Sequence, residues 1–238
     1  MKKLLTFLIC TVALAAVTGT ARAASPLKIV VYGGTGNIGQ RIVHEALNRG
    51  HTVTVVVRDP STMTEQHARL RVLTGDVLDA AEVARTIAGA DVVVCAVSFR
   101  KPPDPAAYRR AGESLIAALR SLGPRAPRLI VVGGAGSLEA SPGVLVVDTM
   151  PAAHRGEVLG QKDALDYYRT VTDAPWTYFS PASTIAPGTR TGKFRLGGDQ
   201  LVKDAKGESR ISMEDYSVAV LDEAEKPAHL HKRFTIGY

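Results

Sequence analysis

The stretch Leu27-Lys28-Ile29-Val30-Val31-Tyr32-Gly33-Gly34-Thr35-Gly36-Asn37-Ile38-Gly39 decides the fold. An apolar run interrupted only by Lys28 reads as a buried strand. It enters G-x-x-G-x-x-G at Gly33, Gly36 and Gly39, and Ile38, Ile42, Val43, Ala46 and Leu47 then fall on one helical face that ends at Gly50. With 22 glycines in 238 residues, that spacing alone would arise by chance roughly 0.2 times in such a chain, so the flanking strand and helix carry the reading. Glycines there allow a tight turn and close backbone approach, while the helix N-terminus supplies free N–H groups and the positive end of its dipole.

Outward from this unit, short β-branched runs alternate with helical patterns. Strands are expected at 27–32, 52–57, 70–73, 91–97, 128–132, 176–180 and 233–236. Helices are expected at 79–88, from after Pro105 to about 122, at about 154–169 and at 213–225, with loops at 137–151 and in the glycine-rich 181–198. Near-continuous Val/Ile runs separated by helices imply a doubly wound parallel sheet covered on both faces, an α/β Rossmann fold in a single domain. A composition of 45% hydrophobic and 22% charged residues excludes disorder, collagen and coiled coil.

The beginning of the chain reads differently. Met1–Lys3 is basic, Leu4–Val17 is apolar apart from Thr6 and Thr11, and Ala21-Arg22-Ala23 is a small-residue cleavage site. A 14-residue apolar run falls short of the ~20 needed to span a bilayer, so residues 1–23 are expected to be a removable signal peptide and not a membrane anchor. Cleavage after Ala23 leaves 215 residues (24–238) and a periplasmic or secreted product. No Arg-Arg pair precedes the apolar run, and the next methionine, Met63, lies beyond the glycine loop; a cytoplasmic location is the alternative if the start lies elsewhere. Removing Lys2, Lys3 and Arg22 lowers the formal charge from +6 to +3. The remaining basic residues are scattered among acids, which argues against nucleic acid. Cys95 is then the single cysteine, without a partner for an internal disulfide.

The candidate cofactor-binding set is Gly33, Gly34, Thr35, Gly36, Asn37, Ile38 and Gly39, with Arg58, Asp76, Val77, Ala96, Val97 and Ser98. Arg58-Asp59 falls at the end of the second strand, where an arginine pairs with the 2′-phosphate of NADP and an acid with the free 2′-hydroxyl of NAD. Arg58 comes first, so NADP(H) is favoured over NAD(H). Asp76 could meet an adenine amine or be a plain turn residue. A second cluster, Gly133-Gly134-Ala135-Gly136, makes LIVVGGAG an echo of IVVYGGTG 100 residues earlier. It leads into no helix, so it is read as a close backbone approach at the nicotinamide end.

VYGGTGNIG, VVVRDP, Gly75-Asp76, LIVVGGAGSLE, APWTYFSPA, PGTRTGKFRLG and ISMEDYSVAVLDEAE, taken in order, resemble the atypical short-chain dehydrogenase/reductases of the NADPH-dependent flavin reductase and biliverdin-IXβ reductase type, bordering on the NmrA-like proteins. The resemblance implies a Rossmann-fold monomer or homodimer that binds NADP(H) through Gly33, Gly36, Gly39 and Arg58. It implies hydride transfer to a small-molecule acceptor, a flavin or a similar conjugated planar ring. Residues from about 138 to 200 would form the substrate side.

The Tyr-x-x-x-Lys pair of classical members is missing: Val171 and Thr172 stand four residues after Tyr167 and Tyr168. Alcohol dehydrogenation by that pair is therefore not expected. Ser137 and His154 are the candidate proton donors or orienting groups, against readings as a turn hydrogen-bonder and a capping or surface residue. Arg190 and Lys193 could meet an acidic substrate such as a flavin phosphate, or line a solvated loop. The alternative function is an NADP(H)-binding sensor or scaffold without turnover.

Overall fold

A computed structural model describes residues 25–100 and 103–238; the expected signal peptide and its cleavage site lie outside the described residues. The chain runs through β1 (Lys28–Tyr32), α1 (Asn37–Asn48), β2 (Thr52–Val57), β3 (Leu70–Thr74), α2 (Ala80–Ile87), β4 (Val92–Cys95), α3 (Ala106–Leu122), β5 (Arg128–Val132), β6 (Glu139–Ser141), β7 (Val144–Leu145) and α4 (Arg155–Arg169). It continues through β8 (Trp176–Ser180), β9 (Thr184–Ala186), β10 (Arg195–Gly197), β11 (Arg210–Ser212), α5 (Met213–Glu225) and β12 (Lys232–Gly237). Eight strands form the main sheet in the order β10-β12-β8-β5-β4-β1-β2-β3. All its pairings are parallel except that of β10 with β12. This is a Rossmann fold in a single domain, as the strand and helix alternation implies.

The period of two along each strand divides the core between the faces. Ile29 and Val31 of β1 join Val55, Phe179 and Phe234 in a core shared with α1 and α5. Val30 and Tyr32 join Val93, Leu115, Tyr168 and Trp176 beneath α2, α3 and α4. Both sets are buried, which is why these strands read as continuous apolar runs and not as alternating ones. Ile42, Val43 and Leu47 of α1 are at most 2% exposed, worth about 2 kcal/mol each for the area removed from water. On the same face Phe179 stacks between Phe234 (3.9 Å between centroids) and Tyr216 (4.3 Å), and the Tyr216 hydroxyl donates to the Phe179 carbonyl at 2.6 Å.

Three expectations need correction. The strand expected at 91–97 ends at Cys95, because the chain must leave the sheet at Ala96 to pass the glycine loop. The expected 137–151 loop holds the small hairpin β6–β7. The glycine-rich 181–198 segment contains β9, which pairs with β11, and the sheet-edge strand β10. Strands of two or three residues are too short to show a period.

Candidate functional site

The order of the sheet places a switch point between β1 and β4, where successive connections leave toward opposite edges and a crevice opens beyond the carboxyl ends of the strands. The glycine loop fills it. Gly33 has φ +81, and a β-carbon there would stand 2.5 Å from the Ala96 carbonyl oxygen. Gly39 packs its bare α-carbon over the Gly33 carbonyl. The Gly36 amide closes the turn onto Gly33 O at 3.1 Å, and the Gln40 amide begins the helical ladder onto Gly36 O at 2.9 Å. The amides of Asn37, Ile38 and Gly39 are thus the unpaired donors of the first turn.

Side chains close the N-termini of α2 and α5, whereas α4, like α1, has no side-chain cap but carries the acid Glu157 in its first turn. Asp79 caps α2 by accepting from the Ala81 and Glu82 amides at 2.9 Å, and Ser212 caps α5 through the Asp215 amide at 2.9 Å. At α1 the cap is Gly36, no side chain accepts from the helix, and the first turn carries no acid. Open amides, a dipole end and exposed Thr35, Gly36 and Asn37 form a cradle for a pyrophosphate. The residues present fit a dinucleotide.

Arg58 and Asp59, both exposed, follow β2. Asp59 is already engaged: its carboxylate accepts from the Ser61 hydroxyl (2.7 Å) and amide (3.0 Å), bonds that hold its pKa below the ordinary carboxylate value. Among the described residues no carboxylate pairs with Arg58. Asp76 accepts from the Leu78 amide at 3.0 Å, as a turn residue does, while its own amide donates to Glu82 at 3.1 Å. Val77 is buried, Ala96 and Val97 are half-buried, and Ser98 is exposed at the mouth of β4.

No hydrogen bond joins the two candidate donors among the described residues. Ser137 is buried in a 3-10 turn after β5, its hydroxyl 3.4 Å from the Arg233 guanidinium, which also binds the Asp199 carboxylate. His154 is exposed at the N-terminal cap of α4. Arg190 grips Glu45 of α1 with two bonds of 2.8 Å, and Glu45 also accepts from Arg49 at 2.8 Å. Lys193 remains an exposed loop residue. The Arg190 segment is fastened further by buried Asp215, which accepts from the Thr191 and Gly192 amides (2.7 and 2.8 Å) and the Tyr238 hydroxyl (2.8 Å).

A polar group absent from the sequence reading stands beside Ser98. The Tyr108 hydroxyl of α3 accepts from the Phe99 amide at 3.2 Å and donates to Glu157 of α4 at 2.8 Å; Glu157 is also held by Arg100 at 2.6 Å. Burial first, then the hydrogen bond to Glu157 and its charge, raise the Tyr108 pKa, so the phenol stays neutral. Gln161 lies one turn further along α4 and covers Gly134. Tyr108, Glu157 and Gln161 belong to no motif, and only the packing of α3 on α4 brings them together. Below them a cavity of about 20 Å³, room for one water, is lined by Cys95, Val97, Tyr108 and Tyr178. A larger open cavity of about 480 Å³ lies apart, between Ser183, Thr184, Lys203, Ser209 and Arg210. Among the described residues no group of three or more His, Cys, Asp or Glu could hold a metal, and no helix is long and apolar enough to cross a membrane.

A family model described as NAD(P)H-binding matches residues 33–224, from the first glycine of the loop to the end of α5. The chain belongs to this NAD(P)H-binding family. Three solved structures are similar over nearly their whole length. A protein of Burkholderia pseudomallei, provisionally named an exported protein, is 40% identical, with a TM-score of 0.79 over 89% of this chain and 100% of that one. One from Bacteroides thetaiotaomicron, provisionally named an epimerase, is 36% identical, with a TM-score of 0.81 over 90% and 98%. One from Streptococcus pneumoniae TIGR4, provisionally named an NADH-flavin reductase, is 30% identical, with a TM-score of 0.79 over 89% and 99%. Membership of the NAD(P)H-binding family supports a nicotinamide cofactor for the chain and, with the similar structures, places it among atypical short-chain dehydrogenase/reductases with an oxidoreductase fold.

Proposed function

We propose that the protein is an NADPH-dependent reductase that passes hydride to a flavin or a similar conjugated planar acceptor. The observation that carries this reading is the contrast between Arg58 and Asp59: the acid is consumed by Ser61, while the guanidinium is left to pair with a 2′-phosphate. NADPH supplies the hydride when bound. The chain contributes the cradle of Gly33–Gly39, the neutral Tyr108 phenol that ties the Ser98–Phe99 backbone to α4, and a crevice at the strand ends. The Tyr-x-x-x-Lys pair is not needed, because a ring that delocalises the added electrons takes its proton from water or a weak donor. The Streptococcus relative named as a flavin reductase supports this acceptor class.

The test is NADPH oxidation by purified protein with FMN, riboflavin and a panel of small quinones. Turnover with any of these is expected. Tight NADPH binding without turnover across the panel overturns the reductase in favour of a sensor. Gel filtration with light scattering distinguishes the monomer and homodimer that the family resemblance allows.

The domain assignment goes with this reading: a leader at 1–23 removed after Ala23, a cofactor-binding domain from 24 to 238, and a substrate side at about 138–200. The product is exported. The basic start, short apolar run and A-x-A site support export, as does the Burkholderia relative's name. N-terminal sequencing from fractionated cells should find a periplasmic or secreted chain beginning at Ala24; a cytoplasmic chain with another start overturns it.

A further inference from the structure

The helix α4 lays two side chains, three residues apart, on the second glycine loop. A β-carbon at Gly136 would collide with Val158 Cγ1, and one at Gly134 would collide with Gln161 Oε1. Tyr178 fills the equivalent space over Gly133 and donates its hydroxyl to the Gln161 carbonyl at 2.9 Å, fixing this turn of the helix. For packing alone an apolar or aromatic group serves, as Val158 and Tyr178 do. An amide brings two donors and an acceptor, and those of Gln161, which are not among the buried unpartnered atoms, stay open to water or a ligand.

No side chain or backbone group among the described residues pairs with them. Gln161 is half-buried, and its side-chain amide makes no hydrogen bond among the described residues. Its polar neighbours on α4 are all engaged: Glu157 with Tyr108 and Arg100, Lys162 with Asp166 at 2.6 Å, and Asp163 with Arg109 at 3.0 Å. The loop beneath Gln161 continues β5, the neighbour of β4, whose far side pairs with β1 at the switch point. The uncommitted amide therefore stands at the carboxyl edge beside the cofactor crevice, level with Ser98 and Tyr108.

We propose that Gln161 orients the acceptor, its carboxamide pairing with an amide or imide edge in which a ring C=O adjoins a ring N–H. The inference rests on the reductase reading and narrows its acceptor class. A carboxamide matches such an edge with one donated and one accepted bond, and a quinone carbonyl answers only one of them. A site built to hydrogen-bond a group discriminates against the analogue lacking it.

The experiment compares kcat/KM for riboflavin, which carries the imide edge, with that for a small naphthoquinone, in wild type and in Gln161→Leu and Gln161→Met. The riboflavin-to-quinone ratio is expected to fall about ten-fold in both variants, as loss of one hydrogen bond predicts. KM for riboflavin should rise while that for NADPH stays within about two-fold, a split that general damage to the helix would not give. An unchanged ratio, or wild type that reduces only the quinone, overturns the role of Gln161 and leaves the reductase standing. Wild type that reduces neither overturns both.

Discussion

A β-carbon at Gly39 would lie closer than 3.0 Å to the carbonyl oxygen of Gly33. Both are backbone positions, so neither can swing aside. Gly39→Ala should lower stability by about 1–3 kcal/mol, the usual cost of overpacking, and weaken NADPH binding at least ten-fold by pushing α1 off the loop. Urea denaturation and a fluorescence titration of NADPH measure the two effects. A variant that binds as wild type does would show that the loop tolerates the shift and that its tightness is not what forms the cradle.

Arg58 and Asp59 make opposite demands on a cofactor, and Asp59 is held by Ser61. Arg58→Ala should reduce the preference for NADPH over NADH by about ten-fold or more, the worth of a charge-assisted hydrogen bond, with NADH affinity nearly unchanged. Paired titrations of the two cofactors check it. Equal losses for both would mean that Arg58 does not read the 2′-phosphate.

The bidentate pair of Arg190 on Glu45 makes an acid-labile clasp between the 187–193 segment and α1. Its hydrogen bond from Arg190, with help from Arg49, holds the Glu45 pKa below the ordinary 4.5 despite burial. A depressed carboxylate stabilises the fold above its ordinary pKa, and that contribution is lost as pH falls through the depressed value. Glu45→Gln should therefore lower the urea midpoint at pH 7, and the gap from wild type should close as pH falls below the ordinary 4.5 and through the depressed value. A gap that stays constant with pH would exclude the ionised clasp as its source.

Cys95 is buried, and burial pushes its thiol up to about 11. At pH 8 only about one molecule in a thousand would carry a thiolate even if a reagent could reach it. Native, processed protein should leave a disulfide reagent unreacted and titrate one thiol in urea. Rapid reaction in the native state would contradict the packing of β4, and two thiols in urea would mean that Cys10 is retained with the leader.

The sequence made the fold legible wherever a segment buries one long face. β1 through β5, α1, α3, α4 and α5 follow from runs such as Ile29–Val31 and Val92–Cys95 because both faces of the sheet are covered. The glycine loop was legible too, since backbone geometry restricts Gly33 and Gly39 to glycine. The reaction side was not. Tyr108 and Glu157 are bonded through tertiary packing alone, and Gln161 has significance only because Gly134 lies beneath it. Arg190 looked free because its partner, Glu45, stands on a helix 145 residues away. Chain order carries no trace of such pairs.

β12, the strand furthest along the described residues, does not take the outermost place in the sheet. β12 lies between β8 and β10, with Phe234 inside the aromatic stack on Phe179. Until Lys232–Gly237 has emerged, β8 presents an unpaired row of N–H and C=O groups along buried-type residues, the kind of edge on which chains aggregate. The main sheet therefore remains incomplete, and in need of protection, until that strand is available. A chain truncated before Lys232 would keep the whole glycine loop, Gly33–Gly39, but expose a sticky seam.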